Sequence, residues 1–169
     1  MGEPDHEVPL EFRDAVAELL YHSQMIEALL RVYLADINEA ADILLHREGV
    51  RFKHRVDAFG KRPLGQLVDQ FEAHSDNDDV VRRLRAFAQH RNAAAHTAYA
   101  WAFVNRGKPE NVAVALEYVR SHCVEGRALV ELVTLETIKT YQLKTDPRLL
   151  LPTASKPDAG AATAAPQDK

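Results

Sequence analysis

A chain of 169 residues has room for one sizeable hydrophobic core, and its 46% hydrophobic and 27% charged residues are the balance of a folded globular domain. A formal net charge of −4 excludes a general nucleic-acid-coating surface, though not a local basic one, and a single cysteine, Cys123, excludes both a disulfide framework and a paired-cysteine zinc site. With only 7 Gly and a bias towards Ala, Leu, Val, Glu and Arg, helix is favoured over strand.

Residues 1–8 are acidic and polar, read as a flexible N-terminus, and resemble neither a signal nor a transit peptide. No apolar run approaches the roughly 18–20 residues of a membrane span, so a cytoplasmic protein with no membrane partner is expected. Pro9 suits the first turn of a helix. After it, Phe12, Val16, Leu19, Leu20, Ser23, Ile26, Leu30, Tyr33, Ile37, Ala41 and Leu44 recur at three- and four-residue steps, the stripe of a helix. It runs to His46 or Arg47, stops at Gly49, and spans roughly 55 Å at 1.5 Å per residue. That length suits a bundle or a dimer surface.

Val50 to Lys61 is mixed and basic, irregular or a short helix. Pro63 then opens a short helix with Leu64, Leu67, Val68 and Phe71 on one face. Ser75-Asp76-Asn77-Asp78-Asp79 signals the next helix start, with capping side chains followed by acids that suit the dipole. That helix carries Val80, Val81, Leu84, Phe87 and Ala88, continues through Arg91-Asn92-Ala93-Ala94-Ala95-His96 to Tyr99, Trp101 and Phe103, and ends near Asn105-Arg106-Gly107. Pro109 opens the last long helix, striped by Val112, Leu116, Val119, Cys123, Leu129, Leu132, Val133, Leu135 and Ile138. Gly126 inside it costs about 1 kcal/mol relative to Ala and marks a close contact or a bend. Pro147 marks its end, and residues 146–169, rich in Pro and Ala, read as a disordered tail. The expected fold is all-α: residues 9–145 form an up-down four-helix bundle with one short helix, homodimeric.

Patterns that carry chemistry are few. Glu-x-x-His occurs only at Glu3 and His6, His-x-x-x-His does not occur, and Glu18 with His22 is an ordinary helix-surface pair, so no metal site is expected. Gly-rich phosphate loops and nucleophile elbows are absent, so no cofactor is expected. Cys123 lies on an apolar stripe and reads as a small core residue. Two basic groups stand out: Arg47, Arg51, Lys53, Arg55, Lys61 and Arg62 against Glu48 and Asp57, and Arg82, Arg83 and Arg85 leading to Arg91. Each reads equally well as a local basic surface or as a solvated helix face.

Arg followed by His at similar spacing also occurs at Arg47/His54, Arg83/His90 and Arg85/His90, so spacing alone does not choose Arg91/His96. Context does. Arg91 is followed by Asn92 and by three alanines that leave the helix surface open, and Asn92 and His96 stand one turn apart on one face.

This segment resembles the motif of the HEPN superfamily of helical-bundle domains: Arg, often then Asn, then His after four to six positions. The resemblance extends to a long first helix carrying Glu27 to Tyr33 and to the GKRPLGQLVDQF segment, over roughly residues 10–143, with the motif its specific part. It implies a metal-independent endoribonuclease, in a toxin–antitoxin or phage-defence system, with Arg91, Asn92 and His96 in the site. A symmetric homodimer, RNA and a cognate antitoxin are the implied partners. Equally implied is a non-catalytic dimerisation or RNA- or nucleotide-binding module. In members modified by a nucleotidyltransferase antitoxin, a tyrosine lies two residues after the motif His. Here that position is Ala98, and Tyr99 stands one further, which favours a packing role for Tyr99.

The chemistry follows from the side chains. An imidazole titrating near 6.5 serves as acid or base close to neutrality. A guanidinium holds a phosphate with two parallel bonds and stabilises the charge of the transition state. Asn92 would orient them. A two-fold dimer doubles the set, enough for separate acid and base. The structural alternative is that His96 satisfies a backbone carbonyl and Arg91 pairs with an acid on a neighbouring helix. A further reading makes the long first helix part of a coiled assembly, although its three-four spacing fits core packing equally well.

Overall fold

The computed structural model describes residues 8–45, 56–146 and 149; all are helix, turn or irregular chain, with no strand among them. The elements are α1 (Leu10–Leu45), a single 3-10 turn (Val56–Phe59), α2 (Leu64–Glu72), α3 (Asp78–Ala93), a π turn (Ala94–Ala98), α4 (Tyr99–Val104) and α5 (Pro109–Thr145). The expected stop of the first helix at Gly49, residues 1–7 of the expected flexible N-terminus, most of the first basic group, Pro147 and all of the tail except Asp146 and Leu149 lie outside the described residues, and Val8, counted with that N-terminus, is buried.

The prolines act where their missing N–H costs nothing. Pro109 is inside the first turn of α5, and Pro9 and Pro63 stand just ahead of α1 and α2, each accepting first-turn amides through its carbonyl. Ala41 of the α1 stripe is exposed and Ala40 takes its place in the core, but most of the stripe packs inward: Phe12, Leu19, Ile26 and Leu30 are almost wholly buried, joined by Leu34. They meet Leu67 and Phe71 of α2, Val80, Leu84 and Phe87 of α3, and Val119, Leu129 and Val133 of α5. Burying each such side chain stabilises by about 1.5–3 kcal/mol. Cys123 is core, as expected: its thiol donates to the Ala15 carbonyl at 3.2 Å, and burial pushes its pKa up to about 11.

Contacts across the interfaces give the helix directions. Glu11 pairs with Arg120, Glu18 with Arg127 and Asp36 with Lys144, so α1 and α5 run the same way. Asn77 meets Glu136, Arg83 meets Glu125 and His90 meets Tyr118, so α3 runs against α5. Strict alternation over four helices would oppose the first and the last. Here the three long helices alternate among themselves. Residues 46–63 separate α1 from α2, so no tight hairpin forces α2 to reverse, and α2 packs on α1 with the Phe71 ring tilted against that of Tyr33, 4.7 Å between centroids.

The stripe of α5 departs from expectation near its end. Leu135 and Ile138 are about half exposed, and Glu136, Thr137 and Thr140 are buried instead. These polar groups are satisfied. Thr137 and Thr140 hydroxyls donate to the carbonyls of Val133 and Thr137, and Glu136 accepts from Asn77 Nδ2 at 3.1 Å and Lys139 Nζ at 2.8 Å.

Asn77 thereby has two tasks, because its Oδ1 also caps α3 by accepting from the Val80 amide. Asn77→Ala should destabilise by about 1–2 kcal/mol for the cap alone, plus the loss of one partner of a buried carboxylate. Asn77→Asp keeps the cap but sets a second carboxylate against Glu136, so it should also lower the urea midpoint. An unchanged midpoint for Asn77→Asp would show that the Glu136 contact contributes nothing.

Candidate functional site around Arg91

Arg91 stands in the last turn of α3 with its side chain 28% exposed. One terminal nitrogen donates to Asn92 Oδ1 at 3.0 Å, and the other lies 4.0 Å from Glu27 Oε1 on α1. Glu27 is shared. Its Oε2 accepts from Arg31 at 3.0 Å, one turn further along α1. Arg31 in turn donates to the carbonyls of Phe59 at 3.2 Å and Arg62 at 3.3 Å, so the 3-10 turn is tied to the same carboxylate. Arg91 therefore does sit beside an acid on a neighbouring helix, as the structural alternative holds. Its Nε is buried with no partner, so the guanidinium is not saturated.

Arg91 and Asn92 line a cleft of about 270 Å³ between α2 and α3, with Leu64, Gly65, Asp69 and Arg85 also on its wall. His96 is exposed and, among the described residues, makes no hydrogen bond: it satisfies no backbone carbonyl there and is not bonded to Arg91 or Asn92. The structure thus couples two of the three expected site residues directly and leaves the third free at the surface.

A regular α-helix was expected through the motif. Instead the backbone widens into the π turn, with helical torsions on both sides: φ −61°, ψ −45° at Ala93 and φ −67°, ψ −47° at Tyr99. The inward positions Ala94, Ala98 and Ala102 recur every four residues, wider than the 3.6 of an α-helix. One extra residue in the turn keeps them on the core face, and alanine side chains offer no bulk to oppose it. An α-helix turns about 100° per residue, so positions five apart point well away from one another, whereas an i→i+5 turn brings such positions towards one side. Arg91 and His96 are five apart.

Beyond the turn, Tyr99, Trp101 and Phe103 are each 40–48% exposed, and the Tyr99 ring lies 6.4 Å from that of Phe12. Trp101 and Tyr118 flank an apolar groove of about 360 Å³, floored by Ala93, Ala98 and Ala115.

The second basic group is largely neutralised within the chain. Arg82 pairs with Asp79, Arg83 bonds Glu125 at 2.8 and 3.0 Å, and Arg85 contacts Asp69 and Glu72. It is a solvated, paired helix face rather than an open cationic surface.

A cluster that sequence reading missed lies on another face of α3. His90 Nδ1 is 3.0 Å from the Tyr118 hydroxyl, His122 Nδ1 is 2.7 Å from the Tyr118 carbonyl, and the two imidazoles are 4.2 Å apart between centroids. Tyr118 and His122 are one helical turn apart on α5, which was the available signal. Only the fold brings His90 to them.

Among the described residues, no group of three or more His, Cys, Asp or Glu could hold a metal ion, and no helix is long and apolar enough to cross a membrane. Compared with known proteins, the chain matches no family model, no curated protein and no solved structure.

Proposed function

We propose that this protein is a metal-independent endoribonuclease of the HEPN type, cytoplasmic and homodimeric. Arg91 grips the scissile phosphate, Asn92 orients that guanidinium, and His96 moves the proton. The observation that carries the reading is the contrast within the motif. Arg91 is held beside a cleft by Asn92 and Glu27, while His96, with no hydrogen bond among the described residues, is exposed five residues on, inside the π turn. Cleavage needs no metal because the 2′-hydroxyl of the substrate is the nucleophile. It attacks the adjacent phosphorus and loses its proton to a base. The 5′-oxygen leaves with a proton from an acid, and a 2′,3′-cyclic phosphate remains. Two imidazoles from a two-fold dimer would fill both roles. A cognate antitoxin would act by covering this face.

A second reading, a non-catalytic module, draws support from two observations. Arg82, Arg83 and Arg85 are paired with carboxylates, and the apolar groove beside the motif suits a protein partner. One experiment separates the two. Purified full chain is incubated with single-stranded RNA in chelator, beside the same oligonucleotide with 2′-deoxy sugars. The endoribonuclease should cut the first to cyclic-phosphate ends and leave the second whole. Intact RNA across many sequences, or equal cutting of both strands, would overturn it.

A further inference from the structure

We infer that the cavity between α3 and α5 walled by His90 and His122 is an oxyanion site, taking the phosphate group of a free anion or of a nucleic-acid backbone. The cavity holds about 260 Å³, and Arg82, Arg83, Ser121 and Glu125 complete its polar wall.

Hydrogen bonding sets the two rings. A carbonyl oxygen only accepts, so His122 Nδ1, 2.7 Å from the Tyr118 carbonyl, carries the proton. The Ser121 hydroxyl donates to that same carbonyl at 2.8 Å, so at 3.2 Å from His122 Nδ1 it acts as acceptor. His90 Nδ1 is engaged by the Tyr118 hydroxyl at 3.0 Å. Both rings are therefore anchored through Nδ1, and among the described residues neither Nε2 has a partner. Each becomes a donor when its ring is protonated.

Charge decides what fits. Arg82 and Arg83 face the cavity from α3, already balanced by Asp79 and Glu125; Tyr118 and Glu125 face it from α5, and α1 lends its wall no charged group. With neutral imidazoles the region is close to balanced. Protonation makes it cationic and calls for an anion; among the described residues no third ligand joins the two imidazoles to hold a metal ion. Partial burial and then the neighbouring His122 hold the His90 pKa below its ordinary value, so the folded chain alone disfavours the charged pair. An oxyanion held in the cavity beside the two rings offsets that penalty. Arg82 adds a mobile contact, since its pairing with Asp79 is at the surface and weak. This site is separate from Arg91 and His96 and does not depend on their role.

The test follows the imidazole nitrogens of the ¹⁵N-labelled full chain by NMR against pH. The probes are inorganic sulfate, which keeps its charge across the range, and a short oligothymidylate, with chloride at equal ionic strength as control. Either probe should raise the His90 and His122 midpoints by about one unit, and affinity should fall about tenfold between pH 6 and pH 8. A response to sulfate assigns a free-anion site; a response to the oligonucleotide alone assigns a backbone-phosphate site. Arg82→Ala and His90→Ala should each weaken binding. Midpoints that move no more than in chloride, or affinity unchanged in His90→Ala, would overturn the assignment.

Discussion

His96→Ala should lower RNA cleavage by about 10²- to 10⁴-fold, the usual contribution of a positioned acid or base, while leaving the thermal midpoint nearly where it was. The two readouts part because of where His96 stands. It is exposed and makes no hydrogen bond among the described residues, and surface changes of that kind alter stability by about 0.5 kcal/mol or less. Alanine is also the better helix former, so the variant should fold at least as well. Arg91→Ala should behave differently: it removes the phosphate grip and also takes from Glu27, 18% exposed, one of its two ion-pair partners among the described residues, leaving Arg31. Arg91→Lys keeps the charge but not the paired donors, so it should recover little activity. Full activity in purified His96→Ala would remove His96 from the chemistry.

Elements whose evidence is local were legible in the residue pattern. The α1 stripe, the start at Pro63, the cap at Asn77, the turn at Asn105 and the close contact at Gly126 each rest on neighbours in the chain. What escaped depends on neighbours in space. Leu135 and Ile138 read as core because they are apolar at the right spacing. Asn77, 59 residues from Glu136, is what makes burial of that carboxylate affordable. Three alanines in a row carry no periodicity, so the π turn at Ala94–Ala98, which contains His96, left no trace. The motif named Arg91, Asn92 and His96, but nothing along the chain could place Glu27 against Arg91. Nor could it separate the α3 arginines from an open basic surface, because Glu125, Asp69 and Glu72 reach them only through the fold. The common direction of α1 and α5 was equally hidden, since it depends on what residues 46–63 permit.

Gly126→Ala should destabilise the protein even though alanine favours helix by about 1 kcal/mol over glycine. A Cβ there would stand 2.9 Å from Phe87 Cε2 and 3.0 Å from His22 Cβ, closer than such atoms approach one another. Neither neighbour can yield easily. Phe87 is 1% exposed within the core, and the contact on His22 is at the root of its side chain. Overpacking of this kind costs about 1–3 kcal/mol, which exceeds or cancels the helical gain. The larger Gly126→Val should cost more. Phe87→Leu isolates the cause, because it shortens the ring that a new methyl would strike. In that background Gly126→Ala should lose part of its penalty, a coupling of about 1 kcal/mol or more in a urea double-mutant cycle. Additive effects would mean that the two positions are not in contact. Gly126 touches α1 through His22 and α3 through Phe87, so this one missing side chain sets how closely the three long helices meet. That spacing also fixes the distance between α3, which carries Arg91, and α1, which carries Glu27. Any relaxation at Gly126 should therefore reach the guanidinium as well as the core.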